Sequence, residues 1–154
     1  MSTDISMQTT NYQVGDRSWL LAEPDYKPNV TLDISKFTKS THYPNGYIPS
    51  GTVIGKITAT GLFGPYDGAA ADGTAVAYGL TYGDVQAIRP NGDTAVKVGT
   101  GAVVNGVVSV SKLPIETGDG TTGALDGTSN TTTQTASASE TAAKSDLAQI
   151  RWEA

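Results

Sequence analysis

Apolar residues in this chain come in short β-branched runs, and Gly, Pro or an Asn-Gly pair cuts off each run within a few residues. Val30, Leu32 and Ile34 alternate with Thr31, Asp33 and Ser35, the period-two pattern of a half-buried strand, and Phe37 falls off that phase. Residues 52–59, 74–81 and 94–98 are further strand candidates. Asn105-Gly106 lies between the runs 101–104 and 107–110, which predicts a hairpin whose two turn residues both take φ > 0. Pro44, Asn45-Gly46, Pro49 and Gly51 make 40–51 a loop. Residues 61–73 are rich in turns, with Leu62, Phe63 and Tyr66 as apolar anchors.

The ends of the chain differ from this middle. Residues 1–27 are polar apart from Trp19-Leu20-Leu21, and Pro24 and Pro28 interrupt regular structure on either side of Tyr26. This stretch reads as an arm. An exposed Trp-Leu-Leu is costly in water, so either its own domain or a partner covers it. Residues 117–135 are almost all Gly, Thr, Ser, Asp and Asn, too polar to offset the entropy of ordering, and read as a polar surface loop. Ser137-Ala138-Ser139-Glu140 has capping-box spacing, and Ala142, Ala143, Lys144 and Leu147 favour a short helix after it. Residues 149–152 read as a last strand.

A length of 154 residues suits one domain with tails. Eighteen glycines and only 16% charged residues favour a turn-rich β protein. The formal charge of -5 supplies no basic footprint for nucleic acid. The absence of cysteine rules out disulfides and thiolate metal sites. No apolar run approaches the ~20 residues of a membrane helix. The start, Met1-Ser2-Thr3-Asp4, lacks the features of a signal peptide, so synthesis in a cytoplasm is expected.

Catalytic chemistry finds little support. His42 is the single histidine and lies in the Pro/Gly-rich loop, where an exposed or stacked ring is expected rather than a triad member or zinc ligand. Asp67, Asp72, Asp84, Asp93, Asp119 and Asp126 mostly occupy Asp-Gly or Asn-Gly-Asp contexts, where the carboxylate serves the turn. Gly118-Asp119-Gly120-Thr121-Thr122-Gly123 fits GxGxxG but lacks the strand and helix that would give the pattern meaning. The sequence leads us to expect no enzyme activity, no cofactor and no metal.

One ordered constellation carries more information. In 64–80 an aromatic residue leads into Asp67-Gly68, then Asp72-Gly73, then Thr74-Ala75-Val76-Ala77, then Gly79-Leu80. Upstream stands Ile48-Pro49-Ser50-Gly51-Thr52-Val53-Ile54-Gly55-Lys56, and downstream come Leu113-Pro114 and the ending 138–152. In this order the pieces resemble the lambda-type head decoration proteins of tailed phages, over roughly residues 45–154 with 117–135 as an insertion. The resemblance implies a mainly β fold, a small β-tulip or barrel-like domain over 46–154 with one short C-terminal helix, preceded by an extended capsid-binding arm over 1–45. It also implies a homotrimer on the outer surface of the expanded head, at three-fold and quasi-three-fold positions. There the trimer binds the major capsid protein and resists the pressure of packaged DNA.

An extended arm with Val30, Leu32 and Ile34 on one side can pair with a free sheet edge. The capsid-contact candidates are therefore Trp19, Leu20, Leu21, Tyr26, Val30, Leu32, Ile34 and Phe37. A phage tail or receptor-binding β module is the second reading, but neither fibre repeats nor a carbohydrate-binding aromatic platform is visible. A carbohydrate hydrolase using Asp67 and Asp72 is the third.

Overall fold

In a computed structural model, residues 14–114, 142 and 144–153 are described. The strands are β1 (Leu20–Ala22), β2 (Asn29–Asp33), β3 (Tyr47–Ile48), β4 (Val53–Lys56), β5 (Phe63–Pro65), β6 (Ala77–Thr81), β7 (Val85–Gln86), β8 (Lys97–Val103), β9 (Gly106–Ser109) and β10 (Ile150–Glu153). One short helix, α1 (Lys39–His42), precedes β3. Five strands close into a barrel in the order β2-β5-β4-β6-β8, with β8 returning to β2. A three-stranded sheet, β1-β9-β10, packs beside the barrel, and β3 pairs with β7.

Side-chain alternation explains this arrangement. Val30 and Leu32 of β2, Ile54 of β4, Phe63 of β5 and Ala102 of β8 form one buried cluster, with Tyr78 of β6 packed against it. All five staves contribute, so this cluster fills the barrel. The neighbouring residues Val53 and Val103, with Ala77 and Leu80, point the other way and meet Val108, Leu147, Ile150 and Trp19. Three staves are therefore covered on both faces. Hence Val53-Ile54 and Ala102-Val103 read as continuous apolar pairs instead of alternating with polar residues.

The strand at 29–33, read from sequence as part of an arm, is a full stave here. It pairs antiparallel with β8 from Asn29↔Gly101 to Asp33↔Lys97 and meets β5 in parallel at Leu32↔Phe63. Leu32 and Ile34 are fully buried, and Val30 and Phe37 nearly so. Among the described residues the packed domain thus begins at Trp19 rather than at 46. The physical reason is closure: without β2, both β5 and β8 would present open edges.

The Asn105-Gly106 hairpin does not form. Asn105 keeps a negative φ, Gly106 has φ of 126°, and β8 and β9 belong to different sheets. The chain leaves the barrel at this point so that Val103 and Val108 enter the same core. β9 then pairs antiparallel with β1 and parallel with β10. The closing strand lies at Ile150–Glu153, preceded by helical residues 144–146. The 117–135 loop, the 118–123 glycine pattern, Asp119, Asp126 and the capping box at 137–140 lie outside the described residues.

Leu32→Ala should lower the unfolding free energy by about 2–5 kcal/mol in urea titration, as a large-to-small change in a closed core does. Thr31→Ala, on the exposed face of the same strand, should change it by less than ~1 kcal/mol.

Candidate functional site

The ordered motif at 64–80 is a pair of side-chain-stabilised turns. Asp67 Oδ1 accepts the Ala69 N–H at 2.9 Å. Asp72 Oδ1 accepts both the N–H and the hydroxyl of Thr74, at 3.1 and 2.6 Å. These bonds from Thr74, helped by the Lys36 cation 3.6 Å from Oδ2, hold the Asp72 carboxyl below the ordinary carboxylate range. The Thr58 N–H bonds the Asp72 carbonyl at 2.9 Å, which ties the turn to the end of β4. Gly73, at φ of 105°, admits no side chain: a Cβ there would stand 2.6 Å from the Lys56 carbonyl oxygen. Both carboxylates serve the turns, as their Asp-Gly settings predict, and Thr74 is drawn out of β6, which starts only at Ala77. The Ala77 N–H in turn donates to Asp146 Oδ2 at 3.0 Å, joining the motif to the C-terminal helical residues. The partners are 69 positions apart, so no local sequence pattern announces that bond.

The N-terminal segment is fastened at two points. Trp19 is 1% exposed, and its indole N–H donates to Ser50 Oγ at 3.1 Å. Gly51 makes room for it with φ of 92°, since a Cβ there would lie 2.9 Å from the indole nitrogen. Of the two ways to cover Trp19, packing on its own domain is the one found. The second fastening is polar. The Arg17 guanidinium and Lys27 Nζ stand 4.6 and 4.8 Å from the centre of the Tyr82 ring. The Tyr82 hydroxyl donates to Glu23, and Lys27 also reaches Glu23 Oε1 at 3.2 Å and the Pro24 carbonyl at 3.1 Å. The Tyr82 and Lys27 bonds hold the Glu23 carboxyl below its usual value. Sequence reading missed this four-residue cluster, because Glu23 and Tyr82 are 59 positions apart.

These anchors sort the contact candidates. Trp19, Val30, Leu32, Ile34 and Phe37 are inside the domain, and Leu20 is half-buried against the second core. Leu21 and Tyr26 face outward, at 51% and 66% exposure. Among the described residues β1 is also an edge strand, with no ladder partner on one side of its backbone.

The family model described as bacteriophage lambda head decoration protein D matches residues 41–112. The matched region is similar to the lambda-type head decoration proteins. The match runs from α1 past the end of β9 and includes four of the five barrel staves, β4, β5, β6 and β8. β1, β2 and β10 fall outside it. No curated protein and no solved structure gives a match. The matched stretch, just under half of the chain, is similar to a structural family of the phage head. Among the described residues, no three His, Cys, Asp or Glu side chains come together as a metal site. No described helix is long and apolar enough to cross a membrane.

His42 lies at the start of the matched stretch and is buried, not loop-exposed. Its Nδ1 accepts the Thr38 N–H at 2.9 Å, and its ring meets Phe37 edge-on at 5.4 Å between centroids. Burial holds the imidazole pKa below the ordinary histidine value. The folded state therefore binds this proton less readily than the unfolded chain. Its contribution to stability is complete above the unfolded value of ~6.5 and is lost as pH falls through that value toward the folded one. Urea unfolding at pH 7.5 and 5.5 should show lower stability at the lower pH. A His42→Phe variant, with nothing to titrate at this position, should show a flatter slope.

Proposed function

We propose that the chain is a phage head decoration protein that binds the outer surface of the expanded head as a homotrimer, at three-fold and quasi-three-fold positions, and braces the shell against the pressure of packaged DNA. The observation that carries this reading is the family match over the stretch that builds most of the barrel. The major capsid protein is the partner. The domain acts as a preformed cement block, and its N-terminal side is the face turned to the shell.

On this reading Leu21, Tyr26 and the free edge of β1 make the direct contacts. An unpaired strand edge offers N–H and C=O groups to an extended segment of the partner, while flanking side chains set register. Tyr26 suits such a role because a large, stiff aromatic ring loses little conformational entropy when immobilised. Leu20 lies at the border of the patch. Trp19, Val30, Leu32, Ile34 and Phe37 act from inside by fixing where the patch stands. A trimer presents three such patches at once, so a modest affinity per copy becomes a long residence time.

Purified chain should cosediment saturably with expanded, undecorated heads, and failure of a folded protein to do so would overturn the reading. Replacing both Leu21 and Tyr26 with Ser should weaken binding by about tenfold or more, as loss of an aromatic anchor does. The urea midpoint should hardly move, because neither side chain is in the core.

A further inference from the structure

A cavity of about 170 Å³ opens where the N-terminal segment crosses the approach to β4, with Asp16, Trp19, Tyr47, Ser50, Asp84 and Lys112 among its walls. Its charges do not balance. Asp16 Oδ1 accepts the Ser18 N–H at 2.8 Å, and its carboxylate also feels the Lys112 cation. Asp84 Oδ1 accepts the Ser50 N–H at 2.7 Å, but Asp84 Oδ2 is buried with no hydrogen-bond partner among the described residues. A carboxylate oxygen withdrawn from water without a donor is costly, and the cost is far greater when it carries charge. Two carboxylates, Asp16 and Asp84, face one cation, Lys112, on the walls, so the unmatched charge is negative. Tyr47 adds an aromatic wall of the kind that favours a cation.

We propose that this cavity receives a basic side chain, Lys or Arg, presented by the surface of the phage shell. The inference rests on the decoration reading for the source of that side chain, but not for the chemistry of the site. To donate to Asp84 Oδ2, which is closed off from solvent, the incoming ammonium or guanidinium displaces the Gly15 backbone beside it. The cavity has room for the tip of one such side chain, not for a folded element. A charged contact of this kind fixes the rotational setting of the domain on the shell, which the apolar pair Leu21 and Tyr26 cannot do alone.

The first test uses the isolated chain and ethylguanidinium as the probe, followed by the NMR signals of the Trp19 indole N–H and the Ser50 amide. Wild type should show saturable shifts, and Asp84→Asn, whose Oδ1 can still accept the Ser50 bond, should show none. Lys112→Gln, which removes the competing cation, should bind the probe about threefold more tightly or better. An absence of saturable shifts in wild type, or equal shifts in Asp84→Asn, overturns the proposal. If Asp84→Asn fails to fold, the Lys112→Gln comparison decides alone, and unchanged or weaker probe binding then overturns it. On expanded heads, Asp84→Asn should bind about tenfold more weakly or worse. Undiminished decoration by Asp84→Asn overturns the shell contact while leaving the decoration reading intact, whereas failure of wild type to decorate overturns that reading itself.

Discussion

The structure depends on three barrel staves, β4, β6 and β8, being covered on both faces. Adjacent residues in these strands serve different cores: Ile54 and Ala102 turn into the barrel, while Val53 and Val103 turn toward the β1-β9-β10 sheet. A fully buried aliphatic side chain contributes about 1.5–3 kcal/mol, so both layers are needed to order a chain with so many turns. The requirement explains why the barrel cannot stand apart from the terminal segments. β2 closes the barrel from the N-terminal side, and Trp19, Leu147 and Ile150 roof its outer face from both ends of the chain.

That dependence sets the position of the surface assigned to the shell. Trp19 enters the outer core and is held by Ser50, and the edge strand β1 begins at the next residue. The Tyr82 ring, with Arg17 and Lys27 against it, holds the same segment a second time at its two ends. Leu21 and Tyr26 are therefore presented from a fixed base. A rigid base lowers the entropy that would otherwise oppose association. On the proposed function, the buried members of the N-terminal segment contribute position, and the two outward side chains contribute contact.

Much of this was legible in the residues. The period-two run at 30–34, the closing strand and the turn role of Asp67 and Asp72 all follow from local rules, and the structure reproduces them. What local rules could not supply was partnership. Val30, Leu32 and Ile34 have the same alternation whether they fill their own barrel or wait for another protein's sheet, and only β5 and β8 decide between the two. The Asn105-Gly106 pair has the chemistry of a hairpin turn, but Val103 and Val108 share a core that draws the strands into separate sheets. His42 looks like a loop residue because the helix around it is only four residues long. The cavity beside Asp84 depends on groups from four separate stretches of the chain, which no spacing rule joins.

The most direct test of this account is amide hydrogen exchange on the isolated chain, read residue by residue across 19–37. If β2 is a stave of the domain, the amides of Val30 and Leu32 should exchange only as slowly as global unfolding permits, with protection equal to that of β8. Rapid exchange through 29–33 against a protected β4 and β6 would contradict it, because the barrel would then lack the strand that closes it.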